Sequence, residues 1–307
     1  MPTTSPPTAP APPLRAAPDL PAGDRGMHPD EVADLGLPIG PGSLLWRLLG
    51  DARNLLLAQR TGTLQVMHPT ISRALVDHST FFADPLGRLW RSGTPILRTV
   101  YAPDADAAGR AVRDLHRGIQ GRTPTGGGYH ALDPEAFFWA HATFVASVVD
   151  GQRLFGTPLD PQQLDRLYRE SITWYARYGV SLRPVPRDHD AFRRYWDAML
   201  DGVLQATPVA CFGIRRLPRQ PPPQGAVPAP LWAVARPAVV RAVPWLGRAT
   251  LPGRARRILG LEDDAADRAA LAALAAGVRA AWPALPPAVR RLPVARRADA
   301  RAAPAAV

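Results

Sequence analysis

Apolar residues recur at three- and four-residue spacing along most of the chain, which predicts a series of amphipathic helices. Pro41-Gly42-Ser43 opens one that runs to about Arg60, with Leu44, Leu45, Leu48, Leu49 and Leu55–Leu57 on its apolar side. A short apolar run, Thr63–Val66, meets His68-Pro69, and a helix from about Thr70 to Asp77 follows. Asp84-Pro85 starts the next, which passes Arg88, Arg91 and Ser92 and ends near Tyr101. Asp104–Gly121 reads as one helix, capped by the aspartate and closed by the glycine. Asp133-Pro134-Glu135 and Asp160-Pro161 carry an aspartate cap followed by proline at the first helical position. They open helices to about Asp150-Gly151 and Tyr178. A further helix covers His189–Leu204, and shorter pieces cover 231–242, 253–260 and 263–282. No pair of alternating strands stands out. The expected class is all-α, in a single domain over residues 28–295.

The flanks have another character. Residues 1–27 are rich in proline, alanine and threonine and lack apolar periodicity, so they are read as a disordered leader. They contain no apolar core of the kind a secretory signal needs. Residues 296–307 are read as a flexible Arg/Ala/Pro tail. A proline-rich strap, Arg219–Pro230, and a glycine-rich connection over residues 121–132 interrupt the body. No strand precedes the three glycines and no GKS/T follows, so they are a loop rather than a phosphate cradle.

The net charge is +11, yet every cation is arginine and the chain has no lysine. Together with 36 prolines and abundant alanine, this reads as a compositional bias, and nucleic-acid binding is not expected. A lone cysteine, Cys211, permits no internal disulfide and no cysteine-based zinc site. No stretch is long and apolar enough to cross a membrane, so a cytoplasmic protein is the expectation. Trp232 and Trp245, interleaved with arginines, leave peripheral membrane contact open.

Chemistry concentrates on two histidines. His116 shares a helix face with Ala108, Val112, Leu115 and Ile119, and His141 lies among Phe137, Phe138, Phe144, Val145 and Val148. An imidazole in a core stripe needs a partner: a backbone carbonyl, a metal or a haem iron. Arg113 precedes His116 by one turn, and Gly87-Arg88-Leu89-Trp90-Arg91-Ser92 places two more cations beside a hydroxyl. Such arginines suit propionate carboxylates or bound oxygen. His68 and His78 read as a turn before a helix and a helix C-terminus, and His28, His130 and His189 as solvated. The chain has no HExxH, nucleophile elbow or Walker motif.

In order, GSLLWRLLGDARNLLLAQR, LQVMHPTISRALVDHSTFFADPLGRLWRS, AVRDLHRGIQG, YHALDPEAFFWAHATFV, PLWAVARPAVV, LPGRARRILGL and LPVARRADAR resemble the family of latex-clearing rubber oxygenases and MpaB-type oxygenases. The likeness spans residue 37 to about 300. It implies a globin-like helical fold and a b-type haem. Arg113-Asp114-Leu115-His116 matches the family's R-x-x-H motif and makes His116 the expected proximal ligand to haem iron, with Arg113 beside it in the cofactor site; His141 is either a second cofactor-pocket residue or a core histidine bonded to a carbonyl. Arg88-Leu89-Trp90-Arg91-Ser92 falls on the R-x-x-K-T motif, which assigns catalytic positions to Arg88, Arg91 and Ser92. Arg91 replaces a lysine and, unlike lysine, does not cycle a proton. Gln120 stands where the family often has arginine, and no carboxylate aligns with the rubber enzyme's catalytic one; Asp77 and Asp84 are the nearby acids. The implied function is a haem-dependent oxygenase acting with O2 on an apolar small molecule, isoprenoids among the candidates. The alternatives are a haem-binding or sensing module without turnover and a non-haem metal enzyme using His116 and His141. Oligomeric state is not readable.

Overall fold

A computed structural model describes residues 26–79, 85–122, 127–215 and 228–303. The helices run in the order α1 (Glu31–Leu35), α2 (Leu44–Leu49), α3 (Ala58–Val66), α4 (Pro69–His78), α5 (Pro85–Tyr101) and α6 (Ala105–Asp114). A two-stranded antiparallel hairpin, β1 (Gln120–Arg122) and β2 (Gly128–His130), follows with Gly121 opposite Tyr129. Then come α7 (Pro134–Phe155), α8 (Pro161–Ala176), α9 (His189–Gly202), α10 (Pro208–Arg215), α11 (Ala229–Thr250), α12 (Gly253–Ile258), α13 (Ala265–Ala281), α14 (Pro287–Arg290) and α15 (Pro293–Ala302). The described part is mostly helical, as the periodicity predicts.

The central element is α7. Phe137, Phe138, Trp139, Ala142, Val145 and Val148 are all buried, so the helix is apolar around its circumference. Helices α3, α8 and α13 pack around it. Asp133 caps it as the sequence predicts, accepting from the N–H groups of Glu135 and Ala136. It runs on past the expected stop at Gly151 to Phe155, and at Gly151 the missing side chain lets Asn54 approach closely. At α8, Asp160 and Gln163 form a reciprocal capping box.

Several boundaries differ from expectation. The helix predicted to run to Arg60 breaks at Gly50-Asp51, where Asp51 bridges to Arg291 and caps a 3-10 turn over Ala52–Leu57. The apolar run Thr63–Val66 belongs to α3. Residues Pro208–Arg215 form a helix that the sequence reading omits. Pro237 and Pro244 lie inside α11, which continues to Thr250 instead of stopping near residue 242. Of the residues read as a tail from 296, those up to Ala302 belong to α15, where Ala295 and Ala298 are buried and Asp299 accepts from Trp46 Nε1 and Arg291; residues 304–307 lie outside the described residues. At the other end, Met27 is buried and its N–H donates to the Leu182 carbonyl, while residues 1–25 of the leader lie outside the described residues. Of the two tryptophans set among arginines, Trp232 is buried, and Trp245 Nε1 donates to Asp267 at 2.8 Å. No helix among the described residues is long and apolar enough to cross a membrane.

Candidate functional site

His116 stands in the turn after α6, not inside the helix. An uninterrupted helix would bond the His116 N–H to the Val112 carbonyl four residues back. Instead the backbone N–H takes the Arg113 carbonyl at 2.9 Å, and the imidazole Nδ1 lies 2.8 Å from the Val112 carbonyl. The ring has substituted for the backbone donor, so the helix ends at Asp114 and Leu115 turns outward, 68% exposed. His116 itself is half-buried, which corrects the expected place of both residues in a core stripe. A carbonyl partner requires the proton on Nδ1, so in the neutral ring Nε2 carries the lone pair. That is the arrangement of a metal-ligating histidine whose other nitrogen is fixed by a backbone carbonyl. The ring packs edge-on to Phe137 at 5.6 Å.

Arg113 turns away from this ring. Its Nε donates to Asp114 at 2.9 Å and its Nη1 reaches toward the Gly179 carbonyl at 3.5 Å. Asp114 also accepts from Arg117, and these arginines, Arg113 first, hold its carboxyl below the ordinary carboxylate range. Helices α5 and α6 pack side by side across a three-residue connection, 102–104. In such an antiparallel pair the turn of α5 bearing Arg91 and Ser92 lies level with the His116 end of α6. Both residues are exposed. The side chain of Arg88 lies outside the described residues, as does Asp84.

His141 occupies a different setting. It is 3% exposed, and neither ring nitrogen has a hydrogen-bond partner. Trp174, Tyr175, Phe138 and Tyr178 surround the ring at centroid distances of 4.7, 5.1, 6.1 and 6.0 Å. Burial pushes its pKa from 6.5 down to about 3; the backbone of Ser171 opposes this weakly, without hydrogen-bond geometry. His141 is therefore a neutral imidazole. Phe137 and Tyr178 stand between it and His116, 5.3 Å apart, so the two histidines do not converge on one point. Among the described residues, no three of His, Cys, Asp and Glu are grouped to hold a metal ion.

The hairpin after His116 adds polar groups that sequence reasoning missed. Tyr129 O–H donates to Asp77, which also pairs with Arg73 at 2.6 Å, one turn earlier on α4. Burial first, and then Asp77, push the Tyr129 phenol up to about 12. His78 Nε2 lies 3.1 Å from the Gln120 carbonyl, pinning the first strand to the end of α4. His130 is not simply solvated: its Nδ1 accepts from the Leu132 N–H at 2.9 Å. His68 caps α4 by position and is buried; desolvation takes its pKa to about 4 against the opposing charge of Asp133. The alternation Asp77-His78 facing Gly-Tyr-His is the sequence signal for this cluster, but it is visible only once the hairpin is known.

The residues present fit a haem in one respect and not in another. His116, half-buried with its proton on Nδ1, has the chemistry of a histidine that would hold haem iron. His141, enclosed by aromatic rings, does not touch the same space and serves the site through packing.

A family described as ER-bound oxygenase mpaB/B'/rubber oxygenase, catalytic domain, matches residues 46–280. No curated protein and no solved structure is similar to the chain. The match covers most of the chain and includes α6, the His116 turn, the hairpin and α7. The chain therefore belongs to the mpaB/rubber oxygenase catalytic-domain family.

Proposed function

We propose that this member of an oxygenase family is a haem-dependent oxygenase acting on an apolar substrate, with isoprenoids as the first class to screen. The observation that carries the reading is the His116 imidazole, held by the Val112 carbonyl with its proton on Nδ1 at the end of α6. His116 would hold the iron through Nε2, and haem would supply the oxygen chemistry. The protein's own part is orientation. Phe137 fixes the tilt of the imidazole, Asp114 holds Arg113 and Arg117 beside the turn, and the hairpin shuts one flank. Arg91 would offer a permanent cation to a haem carboxylate. Arg88 and Ser92 belong to the same turn of α5.

The test is an absorption spectrum and pyridine haemochrome assay on protein expressed with a haem precursor. The expected result is a Soret band near one haem per chain, lost in His116→Ala and retained in His141→Leu. A purified His116→Ala with unchanged haem content and spectrum overturns the assignment.

A second reading, haem binding without turnover, has its own support. Asp77, the nearby carboxylate, is already bound to Arg73 and Tyr129 and is not poised as a base. Oxygen uptake with polyprenyl substrates separates the two.

A further inference from the structure

Helix α11 is apolar on two sides, and the protein covers only one of them. On the inner side Trp232 is buried and Val239 and Val243 are half-buried, and the helix packs on α3 and α10. On the outer side Pro230, Val234, Pro237, Ala238 and Arg241 fall on one face at helical spacing, with Leu231 beside them, and all six are exposed. Leu231 is 59% exposed and Val234 79%. A surface helix ordinarily turns polar side chains outward, whereas one that is apolar all round is covered by protein or by lipid. The first half of α11 is apolar all round and open on one side, and the first charge on its outer face is Arg241.

Charge identifies what covers the face. Residues 228–250 contain Arg236, Arg241 and Arg248 and no aspartate or glutamate. Asp267, which binds α11 at Trp245, stands about 16 Å beyond Val234 by the helical rise. A second copy meeting this face with its own would bring arginine and no carboxylate. A bilayer carrying anionic phospholipid supplies both things the face lacks: an apolar boundary for Leu231 and Val234, and phosphate oxygens for Arg241, whose guanidinium reaches the headgroups while its stem stays along the apolar strip. We propose that the outer face of α11 docks on the surface of an anionic phospholipid bilayer.

The helix lies along the membrane rather than across it. Its inner face is already packed, and no helix among the described residues is long and apolar enough to cross. The two tryptophans take no part, since Trp232 is buried and Trp245 is bonded to Asp267. Docking is a property of this surface and holds whatever His116 binds.

The test uses the full chain with vesicles of phosphatidylglycerol and phosphatidylcholine in equal parts, and with phosphatidylcholine alone. A net charge of +11 draws the chain to any anionic surface, so the readout must be local. Val234→Cys in a Cys211→Ser background carries an environment-sensitive NBD label, and Ala107→Cys, exposed on α6, carries the same label as a control. On the mixed vesicles the label at 234 should shift to the blue and be quenched by lipids brominated on their acyl chains, and the label at 107 should do neither. Without labels, the double substitution Leu231→Gln/Val234→Gln should weaken binding by about tenfold or more. Arg241→Gln should weaken it about fivefold. All three residues are exposed, and circular dichroism checks that the variants fold. Absence of binding overturns the proposal, and so does binding that leaves the label at 234 in water or shifts both labels alike. A concentration-dependent dimer in light scattering that the double substitution abolishes gives the face to a second copy instead. A Val234→Cys that resists labelling in the free protein shows that the chain covers this face itself, and that too overturns the proposal.

Discussion

Replacing His141 with leucine should make the protein markedly less sensitive to acid. In the unfolded chain this imidazole titrates near 6.5, whereas in the folded chain burial takes it to about 3. A depressed folded value means that the unfolded state binds the proton first, so stability present above 6.5 is lost as the pH falls toward the folded value. At about pH 4, roughly two and a half units below the unfolded value, the loss is about 3 kcal/mol at about 1.4 kcal/mol per unit. Near pH 7 the substitution should have a small net effect. It removes two unpartnered buried nitrogens, worth about 1–3 kcal/mol, and gives up ring contacts with Trp174 and Tyr175 worth about 0.5–1.5 kcal/mol each. The assay is urea unfolding of the two proteins near pH 7 and pH 4, followed by tryptophan fluorescence. His68, also depressed, contributes equally to both and cancels in the difference. If the free energy of unfolding falls by the same amount in both proteins between the two pH values, the reasoning is wrong. A partner would then satisfy His141 in solution, or its protonation would leave the folded state intact.

Two further perturbations address the surroundings of His116. Tyr129→Phe should cost about 1–2 kcal/mol through the lost bond to a charged acceptor. The parent should also lose that stability at alkaline pH: the phenol's folded value, about 12, lies above its ordinary 10, so the contribution is complete below 10 and disappears as the pH rises to about 12. Unfolding curves that match from neutral pH to the alkaline limit would contradict it. Gly109→Ala puts a methyl group against the Arg177 carbonyl, so α6 must move away from α8. Overpacking of this kind costs about 1–3 kcal/mol, and thermal unfolding together with the haem absorption band will show whether the displaced helix also disturbs His116.

Much of this fold is legible in the sequence because local signals and tertiary packing agree. The Asp-Pro starts at 133 and 160 are read correctly, since capping and fixed proline geometry act within one turn. The piece expected over 231–242 instead runs on through Pro244 to Thr250, a case in which packing overrides propensity. The hairpin is lost because three-residue strands are too short to show alternation. His141 is placed correctly among apolar residues, but its missing partners are a tertiary fact: they depend on α8 bringing Trp174, Tyr175 and Tyr178 against α7. His116 fails in the opposite sense. Its spacing fits a helix, and the helix ends there because a side chain competes for the same carbonyl, which a periodicity count does not see.

The bond between the His116 ring and the Val112 carbonyl has a consequence for how this site tolerates change. The group that orients the imidazole is main chain, and residue 112 supplies it whatever its side chain. Alanine scanning around His116 would therefore leave the orienting contact untouched and could suggest that the histidine has no supporting partner. Drift in sequence should be cheap at position 112 so long as the replacement packs, while a single inserted or deleted residue between 112 and 116 should be ruinous. The vulnerable quantity here is the register of the chain, not the identity of a neighbour.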